Sequence, residues 1–343
     1  MRRHGWSARI RGWLAAVALG VGGLAAPPAA PAATGEKPPT IFMVLWRGMT
    51  DAERGFQAYF RENDIPVKYI VRNAAKDLDR LEGIREEIKR VRPDLVYTFG
   101  TTVTSRIAGT ARREHADKYV TDIPVVFNIV ADPLGAGLTR SLERTGRNLT
   151  GTSHSVPLSS QLKTLRRIEP VEKLGALYNP LERNSALAVQ ELARLARERG
   201  MEFHSVNVRV RDAKPQRSSI SHKVAALAEK GVRFVYLPSD SFLISNAEAV
   251  VQAIHDRGMI TFSATEGPIS DAGAFVGIVS LYFNVGKFAG HKAARILVDG
   301  KDPASIPIET LERYTILVNM RTARKLDYFP PVPVLEFAKV VQQ

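Results

Sequence analysis

The sequence contains no cysteine, which excludes disulfides, cysteine nucleophiles, Cys-ligated zinc and iron–sulfur sites, and the lipid-accepting residue of a bacterial lipoprotein. Catalytic signatures are missing as well. The seven histidines, at positions 4, 115, 154, 204, 222, 255 and 291, form no i, i+4 pair and no HExxH, so a zincin is excluded. No GxSxG elbow is present. Gly135 and Gly137 are followed by Leu138, Thr139 and Arg140, without the third glycine or the strand-turn-helix setting of a dinucleotide site. His255 and Asp256 are adjacent on an expected helix and do not face each other. No constellation for catalysis remains, and no metal or cofactor is expected.

Acid is also in short supply: 48 Lys and Arg stand against 35 Asp and Glu, a net charge of +13 in 343 residues. Such a balance normally points to nucleic acid or an anionic surface. The N-terminus changes the estimate. Arg2, Arg3, Arg9 and Arg11 precede an apolar run, LAAVALGVGGLAA at 14–26, and Ala30 and Ala32 then stand where a signal peptidase reads small residues. This is the layout of a secretory signal, and the run is too short for the ~20 residues a membrane span needs. We expect a signal peptide over 1–32 and a flexible leader over 33–39. Removing the signal takes away four charges, and an exported protein does not meet the genome. The remaining basic character is expected on a solvated surface, with no nucleic-acid partner.

From position 41, short apolar runs alternate with longer amphipathic ones, the pattern of parallel strands with crossover helices. The spacing predicts strands at 41–46, 67–72, 95–99 and 124–130, with helices at 50–63, 77–91 and from 102. A second set follows, with helices at 159–168, 185–199, 219–230 and 243–256 and strands at 174–178, 202–208, 234–237 and 260–263. Gly200, Gly231 and Gly258 each stand just past a helical run, where a left-handed cap is wanted. After both sets come a strand at 274–280, a helix at 283–298 and a strand-like run at 314–318. The expected fold class is α/β, two doubly wound parallel-sheet lobes joined by crossovers, as in a type I periplasmic binding protein. The N-terminal lobe is expected over 40–155 plus 276–304 and the C-terminal lobe over 156–275 plus 305–343. Ligands of open parallel sheets sit beyond the strand C-termini, so two facing sheets place a small molecule between them.

Particular blocks sharpen this reading: IPVVFNIVADPLGAGL at 123–138, RNLTGTS at 147–153, LGALYNP at 174–180, LPSD at 237–240, Gly286 with Gly290, and IPIE at 306–309. They closely resemble the family of ABC-transporter substrate-binding proteins that includes tryptophan/tyrosine-type components, over about residues 40–330. The resemblance implies a periplasmic solute-binding protein that meets an ABC permease in the inner membrane, here expected as a monomer. A ligand-sensing module docking on a signalling receptor is the alternative from another class, and a periplasmic enzyme the third. One departure concerns the ligand. The family usually carries an acid beside the aromatic ahead of the Gly286 helix, whereas Ser280, Leu281, Tyr282 and Phe283 include none.

Candidate ligand-binding residues follow from strand ends. Thr101 and Thr102 open a helix after Gly100, where hydroxyls and free amides suit an anion, although either threonine also suits a plain cap. Ser153 lies at the first crossover; if the run is extended, Ser155 points the same way and His154 points away. Asn179, before Pro180, offers a donor and an acceptor or a turn. Asp240 is the strongest candidate, as a carboxylate for an ammonium or hydroxyls, or else as a helix cap. Ser263, Thr265 and Glu266 stand one strand later, with Glu266 a second counter-charge. Trp46 and Tyr282 are candidate apolar walls, unless they are core.

Overall fold

The computed structural model describes residues 37–112, 116–209 and 215–342. The expected export segment and most of the leader lie outside them. Two sheets, each covered by helices, organise the rest.

The first contains β1 (Thr40–Leu45), β2 (Lys68–Asn73), β3 (Leu95–Phe99), β4 (Val125–Val130) and β5 (Leu149–Ser153), with α1 (Asp51–Glu62), α2 (Leu78–Val91) and α3 (Gly100–Ala108) between them. All pairings are parallel, in the order β2-β1-β3-β4-β5. β1, β3 and β4 are buried along nearly their whole length, as continuous apolar runs require when helices cover both faces. Helix α1 begins with a capping box, in which Thr50 accepts from the Ala52 amide while Glu53 accepts from the Thr50 amide.

The second sheet contains β6 (Lys173–Tyr178), β7 (Glu202–Asn207), β8 (Phe234–Leu237), β9 (Ile260–Ser263), β10 (Val276–Val279), β11 (Thr315–Asn319) and β12 (Ala338–Val341). Its order is β12-β11-β10-β9-β8-β6-β7, parallel except for the antiparallel β10–β11 pair. The helices of this part are α4 (Leu158–Ile168), α5 (Arg183–Glu198), α6 (Ile220–Ala228), α7 (Ser241–Ser245), α8 (Ala247–His255), α9 (Glu266–Ser270), α11 (Met320–Lys325) and α12 (Val332–Leu335). The single helix expected over 243–256 is two, because Asn246 ends α7 and its side-chain amide donates to the Phe242 carbonyl. Gly200, Gly231 and Gly258 all take φ near +69°, the left-handed conformation that glycine adopts without a Cβ penalty.

The expected lobe boundaries need two corrections. The strand placed in the first lobe, β10, pairs with β9 and β11 and belongs to the second sheet. The chain crosses only after Ser280, and α10 (Tyr282–Leu297) returns to pack on α1. Residues 305–309, assigned to the second lobe, instead run along β5. Thr150 Oγ1 donates to the Ile306 carbonyl at 2.9 Å, the Ser153 amide donates to the Glu309 carbonyl at 2.9 Å, and Ile306 and Ile308 enter the first core. Lys292 of α10, almost fully buried, fastens this strap by donating to the Pro307 carbonyl and pairing with Glu309 at 2.6 Å. The α1–α10 contact is backbone on backbone. A Cβ on Gly286 would lie 2.0 Å from the Ala52 carbonyl oxygen, and one on Gly55 would lie 2.0 Å from that of Phe283.

Strand β4 carries a bulge at its cleft end. Ile129 sits at φ +57° and the register with β5 shifts between Phe127 and Val130, a strained position for a β-branched residue. Asn128 is thereby turned inward, where its amide donates to Tyr97 Oη and its carbonyl accepts from Thr152 Oγ1. Tyr97 in turn donates to the buried Glu53, whose pKa burial pushes up. A fully bonded polar chain thus ties the start of α1 to the first crossover.

Candidate functional site

Parallel strands deliver their C-terminal ends to one edge, so β1, β3, β4 and β5 face β6, β8, β9 and β10 across the gap between the lobes. Side chains cross it. Arg47 donates to Ser241 Oγ at 3.3 Å, Lys76 to Ser245 Oγ at 3.0 Å, and Arg183 to the Gly135 carbonyl at 2.8 Å. His154, on the first crossover, shares a 3.0 Å hydrogen bond with Ser239 and meets the Tyr282 ring edge-on.

Among the described residues, cavities open into this gap. The larger, about 490 Å³, is walled by Arg47, Thr50 and Asp51 from the first lobe, Thr265 and Glu266 from the second, and Tyr282 at the second crossover. The smaller, about 170 Å³, is lined by Asp132, His154, Ser155, Gln161, Tyr236 and Ser239 among others. A groove of about 610 Å³ between α8 and α11 belongs to the second lobe alone and lies away from the strand ends.

The interlobe gap concentrates buried polar atoms that the protein does not satisfy. Among the described residues, His154 Nδ1, Thr265 Oγ1 and Ser280 Oγ have no hydrogen-bond partner, and Tyr282 Oη lies beside Arg47 and Ser239 without a well-formed bond. Buried polar groups are almost always bonded, so such a cluster marks where an external partner is accommodated. The electrostatics are specific. Burial, then the nearby Arg47, brings His154 down to about 3, and its ring is neutral. Glu266 is pushed up to about 7, mainly by burial and further by Asp51 and Asp271, against the Tyr282 amide that donates to it at 2.9 Å.

The nine candidate residues separate clearly. Glu266 and Tyr282 line the larger cavity. Asp240, fully buried, caps α7 instead: Oδ1 accepts from the Phe242 and Leu243 amides, and Oδ2 accepts from the Asn179 amide at 2.7 Å and Ser185 Oγ at 2.6 Å. Beside it, Glu182 accepts from the Ser241 and Phe242 amides and is pushed up to about 7 by burial and by Asp240. Asn179 forms a turn, its side-chain Oδ1 accepting from the Leu181 amide. Ser263 closes a turn onto Thr265, and Ser153 donates to the Ala131 carbonyl. Trp46 is core.

Thr101 and Thr102 sit inside α3. The cap position is Phe99, which provides no side-chain bond, so neither threonine is the cap. The outward direction expected for His154 is also corrected: the chain leaves the sheet at Ser153, alternation stops, and the ring turns into the gap. Arg47 is the residue that sequence reasoning passed over. Its guanidinium lies over the Phe99 ring, 4.9 Å from the centroid, on the cavity wall. The signal available was a lone arginine one residue past an apolar strand.

Two doubly wound lobes with a polar cavity between their strand ends define a type I periplasmic binding protein. The chain belongs to the ABC transporter substrate binding protein family, whose model matches residues 41–341. It is 28% identical over 262 residues to a tyrosine-binding protein of Clostridioides difficile strain R20291, covering 76% of this chain and 71% of that one. Among solved structures, it resembles a conserved domain protein of Vibrio cholerae, with a TM-score of 0.79, 21% identity and coverage of 89% and 100%. An ABC domain from Streptococcus pneumoniae in complex with L-Trp gives 0.78, 22% identity and the same coverage. A ligand-free, open substrate-binding protein with adhesive properties from Clostridium difficile gives 0.66, 23% identity and coverage of 89% and 99%. Among the described residues, no helix is long and apolar enough to cross a membrane, and no group of His, Asp or Glu has the arrangement of a metal site.

Proposed function

We propose that this chain is the solute-binding component of an ABC importer, exported to the periplasm, where it captures a small zwitterionic ligand, an amino acid or a derivative, and presents the closed form to an inner-membrane permease. The observation that carries this reading is the interlobe cavity, in which the unbonded Thr265 hydroxyl, the Tyr282 hydroxyl and Glu266 stand opposite residues of the first lobe. A ligand seated there touches both lobes and stabilises only their closed arrangement. The tyrosine-binding relative and the L-Trp complex make aromatic amino acids the first compounds to try.

The test is thermal unfolding with each of the twenty amino acids, followed by small-angle scattering with whichever stabilises. A ligand at a hundred times its Kd adds about 2.7 kcal/mol, a clear rise in Tm. Binding without compaction would overturn the closure mechanism, and no stabilisation by any amino acid would overturn the ligand class.

A further inference from the structure

We infer that Arg47 reads the ligand's carboxylate, so that this protein selects for a free acid through a guanidinium of the first lobe. The inference rests on the zwitterionic-ligand reading above and adds the group that orients such a ligand. Arg47 stands two residues past β1 and is half-buried on the wall of the larger interlobe cavity. A guanidinium offers five donors; here one reaches a neutral hydroxyl, Ser241 Oγ, at 3.3 Å, and the fork lies beside the Tyr282 hydroxyl. Among the described residues, no carboxylate lies within ion-pairing distance of it.

The nearby acids make other bonds. Asp51 pairs with Arg54 at 2.9 Å, Glu266 accepts the Tyr282 amide, and Glu182 holds the amides of Ser241 and Phe242. The guanidinium lies over the Phe99 ring, and an edge of the fork is left for a planar oxyanion in bidentate contact. Neighbouring polar groups suit the same partner, since the hydroxyls of Tyr282 and Thr265 are both able to donate and the His154 ring carries no charge. The other cations on this cavity, Arg54 and Lys339, are exposed at its rim, and Arg54 is already paired.

A carboxylate on Arg47 sets the polarity of the ligand. Its ammonium then turns to Glu266 across the cavity, a carboxylate of the facing lobe. Arg47 and Glu266 would in this way be drawn together by one molecule.

Calorimetric titration of wild type, R47Q and R47K with L-tyrosine, L-tryptophan and their carboxamides tests the assignment. Wild type should bind an amino acid at least about thirtyfold more tightly than its amide, the usual penalty for removing one partner of a desolvated ion pair. R47Q should bind the acid at least about thirtyfold more weakly and lose the preference for acid over amide. R47K, which keeps the charge without the fork, should retain part of it and serves as the reading if R47Q does not fold. Undiminished binding of the acid by R47Q, or equal binding of acid and amide by wild type, would overturn the assignment. If neither amino acid binds wild type, the same acid-against-amide comparison is made with whichever amino acid raises the Tm; if none of the twenty does, the zwitterionic-ligand reading itself fails and this inference falls with it.

Discussion

Replacing Asp240 by Asn separates a structural carboxylate from a ligand-binding one. In the folded protein each oxygen of Asp240 accepts two hydrogen bonds, one pair from α7 and one from Asn179 and Ser185. An asparagine keeps one accepting oxygen. If that oxygen stays on α7, where Asn caps as well as Asp, the amide nitrogen faces the Asn179 amide. The Ser185 hydroxyl is able to turn and accept from it, but the Asn179 N–H loses its acceptor. A buried unsatisfied donor costs about 1–3 kcal/mol. Part of this is returned, because Glu182 no longer faces a second carboxylate and its raised pKa should fall. The net expectation is a loss of about 1–2 kcal/mol, or several degrees in Tm at ~2–4 °C per kcal/mol. Affinity for the ligand should change less than tenfold, since no oxygen of Asp240 is free. Differential scanning calorimetry without ligand measures the first effect and titration the second. An unchanged Tm with a tenfold or greater loss of affinity would refute the reasoning and return Asp240 to the ligand.

Three further outcomes follow from the same geometry. Gly286→Ala should destabilise the first lobe by about 1–3 kcal/mol or more through overpacking against Ala52, whereas Gly83→Ala, in helix α2 with open space around it, should stabilise by about 0.5–1 kcal/mol; denaturant melts of both variants check the pair, and equal effects would contradict the close α1–α10 contact. Glu266, pushed up to about 7 when folded, holds its proton in the native state where the unfolded chain has lost it, so its contribution falls as pH rises from about 4.5 through 7. The stability of Glu266→Gln relative to wild type should therefore climb across that window and level off above it. His154 and His255, brought down to about 3 and 4, act in the opposite sense, so the difference between variant and parent, not either curve alone, is the readout.

Much of the fold was legible because strands buried on both faces read as apolar runs, as in β1 and β8, and because glycines past helix ends have one conformational reason to be there. The failures are physical too. Strand β5 reads LTGTS, polar along its length, because Thr150 and Thr152 bond inward, to the returning strap and to Asn128, instead of packing apolar faces. The strand at 276–279 is short and apolar whichever sheet it joins, and only its pairing partners decide. Around Asn246 the helical periodicity continues through the break, so a capping side chain that ends one helix leaves no mark on the pattern.

The site was harder to read for a related reason. A Ser, Thr, Asn or Asp just past a strand has the same local sequence whether it caps the next helix or faces a ligand, and Asp240, Asn179 and Ser263 all satisfy their own neighbourhood. What distinguishes a ligand-facing group is the lack of an internal partner, a property of the assembled lobes. Arg47 illustrates the point. In sequence it is one more basic residue on a basic chain; in the structure Phe99 from β3 lies beneath it, Ser241 of the opposite lobe lies before it, and every nearby carboxylate is engaged. Thr265 and Tyr282 stand out by the same test. Residues from β1, β9 and the second crossover, far apart in the chain, meet only because parallel strands bring their C-terminal ends to one edge and the crossovers turn the two edges toward each other.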